Sequence, residues 1–272
     1  MAILGKNRWG KSEVRVSKVH RFDDHDDFSD LHIQVLLEGE VEAAHLVGDN
    51  SAVLPTDTMR NTVYGLAQER LTKDLEGFGA VLCEHFLARP YVSEAKVTIS
   101  ERLWTRIGPT GFVGGGSERR IARVSRGGED SGTWAGVTGL VVLKTTGSAF
   151  VGFPRDDFTV LPEAEDRILA TSVTATWRYS TVPTDTTATW ERARQTLVDH
   201  FFADWSASVQ HQGWLMGQAV LEAVPEIAEI ELHMPNQHHL PFDLTRFGIT
   251  NEGTVFQPVS EPYGDIGLTV TR

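Results

Sequence analysis

The chain has 272 residues, enough for one large domain or for two domains of roughly 130 residues each. A hydrophobic content of 40%, a charged content of 23% and 25 glycines are typical of mixed α and β structure and exclude a disordered or fibrous protein. A net charge of −12 disfavours nonspecific binding to nucleic acid or to an anionic membrane.

The first half of the chain predicts strands, then helices, then strands. An acidic run at 23–30 is typical of a solvated hairpin tip. Apolar residues spaced by three and four predict helix over 61–87, in one or two pieces. The glycine-rich segment 108–117 predicts a flexible hairpin loop, because it lacks the spacing of a phosphate-binding motif. Alternating β-branched residues predict strands at 13–19, 31–37, 92–104 and 120–124.

The second half repeats this order of elements. A helical stripe runs from Trp190 to Phe201, and a second helix covers 209–223 and ends before Pro225. We therefore predict an α+β fold with two like halves, residues 1–139 and 140–272, whose open sheet edges favour closure by oligomerisation. The strands of this half are expected at 140–144, 173–179, 227–233, 240–244 and 266–270.

A single cysteine, Cys83, excludes an internal disulfide and any metal site built from cysteines, and it fits a reducing compartment. No apolar run approaches the ~20 residues of a membrane-spanning helix, and no signal peptide is evident. We expect a cytoplasmic protein, or a peroxisomal one if a eukaryotic tail is missing after Arg272.

Spacing alone does not identify a catalytic site. The chain has no nucleophile elbow, no zinc-protease motif and no phosphate-binding loop. His233, His238 and His239 are the densest of the ten histidines, but strand alternation directs His238 and His239 to opposite faces. A metal shared by these histidines is therefore not expected.

Segments spread along almost the whole chain resemble the signature segments of the urate oxidase family, and they occur in the same order. The resemblance implies two tandem tunnelling-fold repeats per chain, antiparallel sheets with helices on one face, and a homotetramer enclosing a barrel-like tunnel. It also implies active sites at subunit interfaces, urate and O2 as substrates, and no metal or organic cofactor. The segments are WGKSEVRV (9–16), PTDTMRNTVY (55–64), LKTTGSAFVGFPRD (143–156), DRILAT (166–171), SASVQ (206–210) and MPNQHH (234–239).

By position, the family's catalytic lysine, threonine and histidine fall on Lys11, Thr56 and His238. The resemblance implies a proton relay in which Lys11 deprotonates urate through the hydroxyl of Thr56, while His238 orients the relay. Without the resemblance, Lys11 is better interpreted as a solvated lysine at the end of a strand.

The same mapping assigns the residues that bind urate. Arg167 and Gln210 match the pair that grips opposite edges of the purine, and Phe150 matches the aromatic residue that stacks on its ring. Asn236 corresponds to the residue that holds oxygen or the attacking water. The remaining pocket residues are the Thr56 and Asp57 backbone from a neighbouring subunit, together with Val209 and Ile266.

The implied reaction converts urate, O2 and water into 5-hydroxyisourate and hydrogen peroxide. Two alternatives stay open from sequence. One is a pterin or purine enzyme of the same fold, which generally anchors its ligand through a glutamate instead of Arg167 and Gln210. The other is a purine-binding scaffold without activity.

Overall fold

A computed structural model describes residues 2–203 and 205–272. The chain divides into two compact units. The first comprises Met1–Gly136 and Arg178–Trp190, and the second comprises Val137–Trp177 and Glu191–Arg272. Within the described residues, every helix is too short or too polar to cross a lipid bilayer.

An antiparallel sheet in the first unit pairs its strands in chain order. The predicted strands are confirmed, and each is longer than its sequence pattern indicated. Inward residues such as Leu31, Ile33 and Val35 are buried and alternate with more exposed neighbours, because successive side chains of a strand point to opposite faces. The strands are β1 (Trp9–Arg21), β2 (Asp26–Gly39), β3 (Val92–Ile107) and β4 (Gly111–Arg126).

Helices α1 (Glu42–Leu46), α2 (Thr56–Arg70) and α3 (Leu75–Leu87) lie between β2 and β3 in the chain. The predicted helical region is therefore confirmed as two helices, of which α2 begins five residues before the predicted start at residue 61. The break comes before α3, where the carboxylate of Asp74 accepts a hydrogen bond from Gly77 N at 2.8 Å and caps the new helix. The buried faces of α2 and α3 join the β1–β4 core through residues such as Val63 and Phe78.

The prediction of a flexible loop at residues 108–117 is wrong, because most of this segment belongs to β4. The pairing of β3 with β4 continues through it, with Trp104 opposite Gly114. A Cβ atom on Gly114 would lie 2.9 Å from Arg102 Nη2 and 3.4 Å from the Trp104 ring. The glycine therefore leaves room for large side chains on the partner strand, and the turn itself is confined to residues near Gly108, whose φ is +68°.

The acidic run at residues 23–30 is only partly a hairpin tip. Phe22 N donates to His25 O at 2.9 Å and closes the turn. Residues from Asp26 onwards belong to β2, where Asp30 is buried and forms an ion pair of 3.0 Å with Arg15. Because Arg15 pairs with it, the Asp30 carboxylate can be buried in a strand. The acidic composition of this run had argued against a strand.

The strand order β5-β6-β7-β10 lies mostly in the second unit. Of the predicted strands, β7 (Ile227–His233) has its predicted bounds, and the others are confirmed with shifted ends: β5 (Gly132–Lys144), β6 (Leu169–Tyr179) and β10 (Gly267–Thr271). The helices are α4 (Thr186–Ala203), whose first residues belong to the first unit, and α5 (Val209–Ala223). Cβ atoms on Gly213 and Gly217 of α5 would lie 2.7 Å from Leu268 and 2.5 Å from Val270. These glycines let α5 pack closely on β10.

A further hairpin in this unit consists of β8 (Asn236–Pro241) and β9 (Phe256–Gly264). The strand predicted at 240–244 is thus displaced toward the N-terminus, and β9 was not predicted at all. Pro258 and Pro262 interrupt the apolar pattern of β9 and remove backbone donors, which argues against a strand. The structure accommodates them because β9 pairs with a single strand, β8, in the described part of the chain.

Candidate functional site

Arg167 and Phe150 are the first pair of predicted site residues that the second unit brings together. The Arg167 guanidinium carbon lies 5.1 Å from the centre of the Phe150 ring, and Phe150 stacks on Phe153 at 4.8 Å with an interplanar angle of 14°. A short antiparallel bridge fixes the backbone, with Phe150 N donating to Ala164 O at 2.7 Å and Ala164 N to Phe150 O at 3.0 Å. A cation is thereby set beside a half-buried aromatic ring.

Arg167 carries a positive charge that the described part of the chain leaves without an ion pair. Its side chain is half-buried, and its buried Nε atom has no hydrogen-bond partner. Burial lowers the pKa of the guanidinium, although an arginine stays protonated at neutral pH. A partly desolvated cation without a counterion is costly unless an anionic ligand completes it, so this position is suited to an anion.

The start of α5 is joined to the Phe150 segment. Ala149 N donates to Ser206 O at 2.8 Å, and Ser206 N donates to Gly147 O at 3.0 Å. Ser208 then caps α5 by accepting from His211 N at 3.1 Å. Val209 is buried and Gln210 is exposed in the first turn of the helix, so the two predicted pocket residues present an apolar and a polar side chain.

Asn236, His238 and Ile266 form the next group in the same unit. Asn236 Nδ2 lies 3.4 Å from His238 Nδ1, as expected for residues two apart on one face of a strand. Asn236 pairs with Thr171 of β6 and with Gly264 of β9. A Cβ atom on Gly264 would lie 3.2 Å from Ile266 Cδ1 and 3.7 Å from Asn236 Cβ. Ile266 and Asn236 thus both lie close to Gly264, which links the apolar side chain to the Asn236–His238 pair.

Lys11 lies in the first unit, in an irregular part of β1. The register of β1 on β2 shifts between Lys11 and Val14, and Glu13 in this bulge has a φ of +56°. Such bulges re-aim side chains and are common beside active sites. A Cβ atom on the preceding Gly10 would lie 2.1 Å from Val35 O, so only glycine permits this close approach of the strands.

Thr56 and Asp57 open α2 in the same unit, and both are exposed. The indole Nε1 of Trp9 donates to Leu54 O at 3.1 Å. This contact ties the start of β1, two residues before Lys11, to the chain two residues before Thr56. Asp57 forms an ion pair of 2.9 Å with Arg60 on the next turn of α2.

Two features of these residues could not be predicted from the sequence patterns above. The bulge at Glu13 is one, since a positive φ at glutamate is rare. The unpaired charge of Arg167 depends on which groups surround it after folding. Among residues 2–203 and 205–272, no group of three or more His, Cys, Asp or Glu side chains is arranged to hold a metal ion.

The chain is similar to uricases along nearly its whole length. The family model described as Uricase matches residues 7–125 and 134–267. A uricase from Arthrobacter globiformis is 41% identical over 273 residues, which is 99% of this chain and 90% of the relative. One from Dictyostelium discoideum is 38% identical over 282 residues, covering 100% of this chain and 98% of the relative.

Solved structures show the same likeness. The crystal structure of the Arthrobacter globiformis uricase superposes with a TM-score of 0.96 at 41% identity, covering 100% of this chain and 96% of that chain. A urate oxidase from Bacillus sp. TB-90 has a TM-score of 0.83 at 22% identity, covering 98% of this chain and 100% of that chain, and shares the fold. The positions of the site residues can thus be interpreted within one family.

Proposed function

The chain belongs to the uricase family, and we propose that Arg167, Phe150 and Gln210 bind urate while Lys11, Thr56 and His238 relay its protons. The protein is an oxidoreductase that oxidises urate with O2. The alternative of another pterin or purine enzyme of the same fold is not favoured, because uricases match nearly the whole chain.

The unpaired guanidinium of Arg167 beside the Phe150 ring is the observation that carries the urate site. Urate is a planar anion, so its ring stacks on Phe150 for about 0.5–1.5 kcal/mol beyond area burial. The planar fork of Arg167 donates to the anionic edge of the purine. The Gln210 amide offers one donor and one acceptor to the opposite edge, and Val209 and Ile266 line the pocket.

The catalytic steps need a base close to bound urate. In the proposed relay, Lys11 takes a proton through the Thr56 hydroxyl, which accepts one hydrogen bond while donating another. The Trp9 to Leu54 hydrogen bond, which ties together the segments before Lys11 and Thr56, supports this pairing. His238 orients the relay, and Asn236, 3.4 Å from it, holds O2 and later water above the ring.

The electrons come from urate itself, which is why the proposed reaction uses no cofactor. The urate dianion passes two electrons to O2, which takes up two protons and leaves as hydrogen peroxide. Water then adds to the oxidised purine to give 5-hydroxyisourate, with the Lys11–Thr56 pair as the base. The protein contributes orientation, proton transfer and a fixed polar environment.

We also propose that residues 1–139 and 140–272 are tandem tunnelling-fold repeats and that the chain assembles as a homotetramer. In support, the order strand pair, helices, further strands occurs twice along the chain, although β5, the first strand of the second round, begins at Gly132 before the proposed boundary. Strands β1 and β10 each pair with one described strand only, which leaves a free edge for another subunit. In this assembly Lys11, Thr56 and Asp57 of one subunit complete the pocket that carries Arg167 in its neighbour.

Removal of metal tests whether the reaction is free of cofactors. After exhaustive dialysis against EDTA, we expect urate-dependent oxygen uptake to stay within about twofold of the untreated rate, because urate is the electron donor. An oxygen electrode and a peroxide assay give the measurement, with one peroxide formed per O2 consumed. Loss of turnover that added metal restores would contradict the cofactor-free reaction. Absence of oxygen uptake in both samples would favour the scaffold without activity.

A further inference from the structure

Three chain segments meet around the Arg167–Phe150 pair, and few backbone hydrogen bonds join them. Ala164 bridges to Phe150 on one side, while Ser148 bridges to Ser206 before α5. Arg167 N donates to Ser148 O at 2.7 Å, three residues after the Ala164 bridge. Because Arg167 lies outside the described strands, two residues before β6 begins, we expect its position to depend on the turn at residues 146–148.

The carboxylate of Asp166 holds that turn. One oxygen accepts from Gly147 N at 2.7 Å and from Ser148 N at 3.3 Å, and the other accepts from the Thr146 hydroxyl. Gly147 has a φ of +82°, which lets the two consecutive amides point at one carboxylate. The hydrogen bond from Thr146, together with those from the amides, holds the pKa of Asp166 below its usual range, so the carboxylate is ionised at neutral pH.

Asp166 and Arg167 are adjacent in the chain, but their side chains make separate contacts. The Asp166 side chain grips the turn, while the Arg167 side chain reaches the Phe150 ring. Ser148 takes part in both contacts, since its N–H meets Asp166 and its carbonyl accepts from Arg167 N. Any movement of the turn therefore moves Arg167 relative to Phe150.

We propose that Asp166 is a positioning residue for urate binding, which fixes the guanidinium of Arg167 over the Phe150 ring by clamping the Thr146–Ser148 turn. The inference rests on the proposed function of Arg167 and adds a residue that does not touch the substrate. Preset geometry of this kind lets a ligand bind without the cost of ordering the site.

Asp166→Ala tests the clamp. We expect KM for urate, and Kd for an unreactive xanthine-type analogue, to rise about tenfold while kcat stays within about twofold, because the relay residues are untouched. Asp166→Asn keeps an acceptor oxygen for Gly147 N–H, so KM should stay within about threefold of wild type. Thr146→Val, which removes one hydrogen bond to the carboxylate, should raise KM by an intermediate factor.

A merely structural role gives a different pattern. Loss of folded protein lowers the apparent kcat and Tm and leaves KM unchanged, so that result, or a wild-type KM in Asp166→Ala, would overturn the proposal. Asp243→Ala is the matched control, because Asp243 is also exposed and accepts from Thr245 N at 2.9 Å in a turn of its own. An analogue that binds Arg167→Met as tightly as wild type would instead overturn the proposed urate site itself.

Discussion

Lys11→Met should lower kcat by roughly 100- to 10,000-fold, the usual contribution of a positioned general base. Methionine keeps much of the length and apolar stem of lysine but cannot accept a proton, so urate loses its route of deprotonation through Thr56. Binding of the unreactive analogue should change little, because the purine contacts come from other residues. Stopped-flow absorbance at saturating urate gives kcat, and titration under nitrogen gives the affinity.

Lys6→Met is the matched control for this substitution. Lys6 precedes β1 and is exposed, and it has no part in the proposed site. The same change of residue type there should leave kcat at the wild-type value. Turnover by Lys11→Met close to that of Lys6→Met would remove Lys11 from the relay.

Arg167→Met should weaken binding of the unreactive urate analogue by at least about 30-fold, which corresponds to about 2 kcal/mol. The substitution removes the cation that stands unpaired beside Phe150, along with its fork of donors. Arg167→Lys should recover only part of the affinity, because an ammonium group keeps the charge but not the planar pair of donors. Calorimetric titration without oxygen separates this loss from any effect on chemistry.

The chain offers a close control in Arg155. Its guanidinium carbon lies 5.1 Å from the centre of the Phe153 ring, the ring on which Phe150 stacks, but Arg155 is exposed. Arg155→Met therefore removes an arginine next to an aromatic ring without touching the proposed purine contacts. If both variants lose affinity equally, the effect comes from overall charge and the assignment of Arg167 is wrong.

The succession of elements could be predicted from the sequence because apolar residues repeat with the periods of strands and helices. Helix α5 and strand β7 have the predicted bounds. The glycines of β4 and the prolines of β9 were misleading for a shared reason. Both residue types normally signal turns or breaks, and here cross-strand partners override the local signal: Trp104 fills the space over Gly114, and β9 pairs along β8.

The identities of the candidate site residues came from resemblance to a family, since their spacing alone matches no motif. The structure adds contacts among some of them, between Arg167 and Phe150 and between Asn236 and His238. No sequence pattern indicated that the Arg167 charge lacks an ion pair or that Asp166 holds its turn. Both facts depend on which groups surround a side chain after folding, and that is a property of tertiary packing.

The proposal that neighbouring subunits share each active site can be tested by subunit complementation. The substitutions Lys11→Met and Arg167→Met lie on opposite sides of the proposed shared pocket. A mixture of the two chains therefore contains some pockets with both native residues. Co-expression in equal amounts, with assays at urate well below the wild-type KM, should restore about a quarter of wild-type activity from two nearly inactive parents. Activity of the mixture no greater than that of the parents would contradict a site that takes Lys11 from one subunit and Arg167 from its neighbour.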